Sequence, residues 1–84
     1  MTEQQLIFEA IGRERDFQDR KYGAGRLHNI PGWLLILRKE LEEAEIAWCK
    51  EGDANALCEL LQVIAVGVAC LEQHGISERE AITR

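Results

Sequence analysis

Eighty-four residues, ten of them basic and fifteen acidic, leave room for a single domain, 1–84. The formal charge of −5 excludes a general nucleic-acid binder, which needs a basic stripe to displace counterions. Folded alone, a chain this short hides only about 60–65% of the surface it exposes when unfolded, so a metal or a partner subunit is expected to add stability.

The opening Met1-Thr2-Glu3-Gln4-Gln5 is polar and acidic, unlike a secretory leader. Thr2 and Gln5 have the spacing of a capping box, and a first helix is predicted from about Glu3 to Tyr22. Its apolar stripe starts with Ile7, Ala10 and Ile11 at helical spacing. Gly23-Ala24-Gly25 and the stretch to Pro31-Gly32 break the pattern. Pro31 suits a first helical turn, so a second helix is predicted from near Pro31 to near Glu51, ended by Gly52. Asp53 is a good N-cap for a third helix reaching about His74, with Gly75 as its stop. Ser77-Glu78-Arg79-Glu80 has capping-box spacing again and predicts one or two further turns. Strand patterns are absent. The expected fold class is all-α, with three main helices plus a short C-terminal helix.

Three cysteines, Cys49, Cys58 and Cys70, are an odd number set in apolar helical patterns without a CxxC pair. Free, buried thiols in a reducing cytoplasm are the expectation. His28 and His74 stand at no ligand spacing from any cysteine, which disfavours zinc. The longest apolar run, Leu60 to Leu71, is shorter than the ~20 residues that span a bilayer, so no membrane partner is expected and this run is predicted to be a buried helix. It is apolar almost all the way round and must be covered on every side. Two amphipathic neighbours from one chain do so poorly. A helical bundle completed by oligomerisation, as a homodimer or homotetramer, is therefore expected.

Polar residues interrupt the apolar faces at particular places. With successive residues about 100° apart, Trp33, Ile36, Leu37, Ala44, Ala47 and Trp48 all fall within about 80° of Glu40, and Glu43 lies about 60° from it. Glu42 and Glu45 point roughly 140–160° away. On the third helix Glu59, the sole acid between Asp53 and Glu72, shares a face with Val63, Val66 and Cys70, and Gln62 stands about 60° round. On the first helix the stripe of Ile7 and Ile11 continues through Glu14, Gln18 and Lys21. Burying unpaired carboxylates costs several kcal/mol each, so something must offset it. Inward-facing bases reduce to Lys21 and Arg15. A divalent cation is the other solution, and three carboxylates from two helices suit Mg²⁺, with Mn²⁺ as a substitute. The competing reading is plain: glutamates three apart are common on solvated helix faces.

Glu14-Arg15…Gln18…Lys21-Tyr22-Gly23, then His28, then Trp33 to Leu37 with Glu40-Leu41…Glu43-Ala44, then Glu59-Leu60-Leu61-Gln62-Val63 resembles the MazG-like family of all-α nucleoside triphosphate pyrophosphohydrolases. The likeness runs from about Glu14 to Glu72. It implies Mg²⁺-dependent hydrolysis of a nucleoside triphosphate to the monophosphate and pyrophosphate, as nucleotide-pool house-cleaning. By position, Glu40 is similar to the second of the family's doubled acids, Glu43 to the third, and Glu59 to the acid opening the next motif. Lys39 stands where the first glutamate is expected and Gln62 where an aspartate is expected. The resemblance implies Glu40, Glu43, Glu59 and Gln62 as metal-holding groups, Glu40 and Glu43 as catalytic, and Gln18, Lys21, Trp33, Glu14 and His28 as substrate-binding. For Trp33 two roles stand open, stacking on the base or packing in the core. His28 reads most simply as a solvent-exposed loop residue. The departures at Lys39 and Gln62 carry an alternative: a weakened or inactive nucleotide-binding protein, or a structural helical oligomer.

Overall fold

The computed structural model describes residues 1–79. Three helices account for the fold: α1 (Glu3–Tyr22), α2 (Ile30–Glu51) and α3 (Asp53–His74). The described residues contain no strand, and the fold is all-α. The helix predicted from Ser77 onward lies mostly outside the described residues, and positions 75–79 are not helical.

Local chemistry sets the helix ends. Thr2 Oγ1 accepts from the Gln5 backbone N–H at 3.1 Å while Gln5 Oε1 accepts from the Thr2 N–H at 2.7 Å, satisfying orphan donors at the start of α1. Asn29 caps α2 by accepting from Gly32 N–H at 2.8 Å; the helix therefore opens at Ile30, with Pro31 in its first turn. Asp53 departs from its expected role. It is the first helical residue of α3, and Gly52 stands at the cap position without a side chain to bond. The Asp53 carboxylate instead accepts from Trp48 Nε1 at 2.8 Å. This bond crosses the one-residue turn between α2 and α3, which Gly52 makes at φ +91°, a conformation costly for any residue with a Cβ.

So short a link forces α2 and α3 into an antiparallel hairpin. Trp33 near the start of α2 donates its Nε1–H to Gln73 Oε1 near the end of α3 at 3.0 Å, which fixes the register. The core is small. Trp33, Ala44, Ala65, Val66 and Ala69 are the buried apolar residues, with Ile36, Leu37 and Cys70 packed against them. α1 packs on α3 and is tied to it by polar bonds: Gln18 Nε2 donates to the Gln62 carbonyl at 3.2 Å, and Arg15 donates to Glu72 at 2.8 Å.

Burial of α3 differs from expectation. By length and composition alone this 22-residue helix is long enough and apolar enough to cross a membrane, a test that core helices also pass, yet only 17% of its apolar window is buried within the chain. Two partners, α1 and α2, cover part of its circumference and leave the rest bare. The thiols differ likewise: all three are free, but Cys49 and Cys58 are exposed and Cys70 is half-buried. Large hydrophobic residues remain half-exposed on all three helices, among them Phe8, Leu34 and Ile64.

Candidate metal and polyanion site

Between the three helices, acids of α2 and α3 meet. Glu40, Glu43 and Glu59 each place one carboxylate oxygen so that all three lie within 4.8 Å of one another. The wheel positions explain why. Glu40 and Glu59 occupy the faces through which α2 and α3 pack, and Glu43 follows Glu40 by nearly one turn. Burial is only partial: Glu40 and Glu59 are half-buried and Glu43 is exposed. The expected sealing of these acids inside the bundle is therefore corrected. Water reaches the cluster, because three helices leave one side of the α2/α3 groove open.

The electrostatics are frustrated. Burial pushes the Glu40 carboxyl above the ordinary carboxylate range, and the negative charges of Glu43 and then Glu59 push it further. Lys39 and Arg26 pull the other way without cancelling the rise. Among the described residues the ion pairs both belong to Arg15, so none of the three acids has a basic partner in direct contact. A net like-charge cluster of this kind favours a cation or a proton.

The cluster opens on a cavity of about 330 Å³, which Glu40 and Gln62 border. Glu14, Gln18, Lys21 and His28 line the same cavity. The structure thus brings together six of the residues singled out in the sequence. Their surroundings separate them by role. Lys21 is exposed, its Nζ 5.1 Å from the centre of the Tyr22 ring. Glu14 is half-buried. Gln18 is 5% exposed, and both ends of its amide are engaged, with Oε1 accepting from Arg15 Nη1 at 3.3 Å and Nε2 donating to Gln62. Gln18 holds α1 against α3, and its polar atoms are committed to that task.

Three expectations need correction. Trp33 is 2% exposed, with the His28 ring edge-on at 4.8 Å and the Arg26 guanidinium 5.3 Å from its ring centre; it offers no open face to a base and belongs to the core. His28 is half-buried where a solvent-exposed loop residue was expected. Its backbone is clamped by Gln73, whose Nε2 donates to the His28 carbonyl at 2.7 Å, and its ring Nε2 is buried without a hydrogen-bond partner. Arg15 turns away from the cavity, bound to Asp19 at 2.9 Å and Glu72 at 2.7 Å, and is not a free base for a ligand.

Two cations that helix-face reasoning passed over take its place. Arg26, from the loop between α1 and α2, lines the cavity and lies 5.0 Å from the Tyr22 ring centre. Lys39, adjacent to Glu40 in sequence, lines it too. Arg26 sits in a loop where periodicity says nothing, although its place between Gly25 and Leu27, close after the Lys21-Tyr22 pair, was the available signal. With Lys21, the cavity presents three basic side chains beside a cluster of three acids. Such a division suits a divalent cation on one side and a polyanion on the other. No family model matches the chain, and no curated protein or solved structure matches it either.

Proposed function

We propose that this chain is a MazG-like, Mg²⁺-dependent hydrolase that splits a nucleoside triphosphate into the monophosphate and pyrophosphate. The observation that carries the reading is the convergence of Glu40, Glu43 and Glu59 within 4.8 Å next to a cavity bordered by Lys21, Arg26 and Lys39. The donor set fits the ion. Hard carboxylate oxygens suit Mg²⁺, and Glu40, Glu43 and Glu59 would supply them. Burial first, then the charges of Glu43 and Glu59, raise the proton affinity of Glu40, and Lys39 and Arg26 do not cancel the rise. Mn²⁺ serves the same donors.

A bound Mg²⁺ supplies charge neutralisation on phosphate oxygens and a lowered pKa for water at the site. The rest falls to the chain. Glu40 and Glu59, half-buried, would hold the cation, and Gln62 would add a neutral group on the cavity side. Lys21, Arg26 and Lys39 draw the triphosphate in and set its phosphates against the acids. Water attacks the α-phosphorus, the bond to the bridging oxygen breaks, and pyrophosphate leaves with that oxygen. Glu43, exposed and beside Glu40 in the acid cluster, accepts the proton the water loses. Such a reaction belongs to nucleotide-pool house-cleaning in the cytoplasm, in keeping with free thiols.

A second reading has a specific basis. Lys39 stands where the resemblance expects an acid and lines the cavity, which favours nucleotide binding with weak or no turnover. One experiment separates the two: pyrophosphate release from a panel of ribo- and deoxyribonucleoside triphosphates, with Mg²⁺ or Mn²⁺, beside nucleotide-induced thermal stabilisation. Binding without release for every member of the panel replaces the enzyme by the binding protein. Absence of both ends the proposal.

A further inference from the structure

α1 is attached to the rest of the chain differently from the way α2 and α3 are attached to each other. The hairpin has an apolar core of its own, in which Trp33, Val66 and Ala69 are buried. Of α1 only Gln18 is buried, and Leu6, Ile7, Phe8 and Phe17 are half exposed or more. Among the described residues no Cα of α1 comes within 8 Å of one in α2. Two side chains latch α1 to α3 instead: Arg15 Nε donates to Glu72 at 2.8 Å, and Gln18 Nε2 donates to the Gln62 carbonyl at 3.2 Å. A helix with few buried apolar contacts opens at a lower free energy than the core it rests on.

The link from α1 to α2 supplies a pivot. Its later half is fixed on α3, because the His28 carbonyl accepts from Gln73 Nε2 at 2.7 Å and from His74 Nε2 at 2.9 Å. In its earlier half, Gly23-Ala24-Gly25, the backbone bond beyond the α1 cap is that of Arg26 N–H to the Gly23 carbonyl, at 3.4 Å. Gly23 holds φ +93°, a region glycine enters at little cost. Rotation about Gly23 to Gly25 moves α1 and leaves the clamped His28 where it is.

We infer that α1 is a lid on the cavity, latched to α3 by Arg15 and Gln18, hinged at Gly23 to Gly25, and closed toward α2 by a cation bound together with a polyphosphate. The walls of the cavity give the reason. Glu14 and Lys21 line it from α1, and Lys39 and Glu40 line it from α2. None of these four is ion-paired among the described residues, so no charge pair ties one wall to the other. Phe17 and Ile36 also face each other's wall, and removing them from water favours closing. Unmatched charge on both sides opposes it. A cation serves the acids and a polyphosphate serves the bases, so the two ligands together supply the bridges that the chain lacks. Arg15 and Gln18 are then positioning residues, which set Lys21 over the ligand without touching it. The inference rests on the ligand class of the proposed function, a divalent cation with a polyphosphate, and not on turnover.

The test is hydrogen exchange of the full chain, resolved by segment, in EDTA and then with MgCl₂ and tripolyphosphate. In EDTA the α1 amides should exchange at least about tenfold faster than those of the α2/α3 core, through openings that leave the hairpin protected. With MgCl₂ and tripolyphosphate at about a hundred times the dissociation constant, α1 exchange should slow by up to about 100-fold. MgCl₂ alone should leave α1 exchange as it was, since the three carboxylates stand on α2 and α3. Arg15→Ala should weaken tripolyphosphate by the factor through which it depletes the closed form, about tenfold, with the Mg²⁺-induced thermal shift unchanged and with partial recovery in Arg15→Lys. Exchange of α1 and the hairpin as one unit in EDTA overturns the lid, and does so without any variant. So does unchanged α1 exchange when titration calorimetry shows tripolyphosphate bound, or wild-type affinity in an Arg15→Ala protein whose α1 exchanges faster. Absence of calorimetric binding overturns the lid and the proposed function together. Binding and closure without pyrophosphate release from any triphosphate remove the hydrolase alone and uphold the lid.

Discussion

Glu40 on α2 and Glu59 on α3 bring carboxylate oxygens within 4.8 Å of each other, and neither is ion-paired among the described residues. Two like charges held so close between packed helices work against the fold. Arg15, the half-buried arginine nearby, spends its charge on Asp19 and Glu72 instead, so it offers the pair no relief. That relation organises what can be measured.

Removing the charge of Glu40 should stabilise the metal-free protein and disable the site. Because Glu40 is only half-buried, solvent screening keeps the gain of Glu40→Gln below about 1 kcal/mol. The same change should abolish the rise in melting temperature on adding Mg²⁺, and should lower pyrophosphate release by at least about 100-fold, since charge stabilisation by a bound metal is worth several kcal/mol. Calorimetric melts with EDTA or MgCl₂ check the first two statements. A variant that still melts higher with Mg²⁺, by the same interval as wild type, removes Glu40 from the metal site.

The pH dependence follows from the direction of the Glu40 shift. Burial, then Glu43 and Glu59, raise its carboxyl above the ordinary value of 4.5, so the folded state binds a proton more tightly than the unfolded one. Stability from this group is present below the unfolded pKa and lost as pH rises through the folded pKa. In EDTA, wild type should be less stable than Glu40→Gln at neutral pH, and the two should converge as pH falls toward about 4.5. Using the difference between two proteins cancels the titration of the acids that do not interact with Glu40. A gap that widens on acidification refutes the assigned sign.

Arg26 should act on ligand affinity rather than on metal binding. It borders the cavity with Lys21 and Lys39 and has no carboxylate partner among the described residues. Loss of one charge-assisted hydrogen bond costs about 1.5–3 kcal/mol, so Arg26→Gln should weaken tripolyphosphate binding by roughly 10- to 100-fold. The Mg²⁺-induced thermal shift should be unchanged. Isothermal titration with tripolyphosphate, without metal, reads the first effect. Equal affinities in the two proteins exclude the arginine from the polyanion subsite.

Trp33 separates packing from stacking. Only 2% exposed and with its Nε1–H on Gln73, it should cost about 3–5 kcal/mol when truncated to alanine, enough to unfold a domain of marginal stability. Trp33→Phe keeps most of the volume and loses the bond to Gln73. It should melt lower and yet leave the nucleotide KM as it was. A large KM increase in a folded Trp33→Phe protein restores the stacking role.

The helix ends were legible in the residues themselves, because caps and breakers act within a few positions. The Thr2–Gln5 box, the stops at Gly52 and Gly75 and the span of α1 are all found as the local signals predict. So was the inward aim of Glu40 and Glu59, since a helix converts spacing directly into direction. Periodicity cannot rank two packing roles for one inward residue, and it is silent in loops. Only the placement of helices against one another decided that three carboxylates meet, that Arg15 finds Glu72 across 57 positions of chain, that Trp33 is core, and that Arg26 comes in from the loop to border the cavity. It also decided that α3, apolar nearly all round, is covered by α1 and α2 over only part of its surface. Distances between helices depend on the whole packed assembly, and one-dimensional spacing carries no information about them.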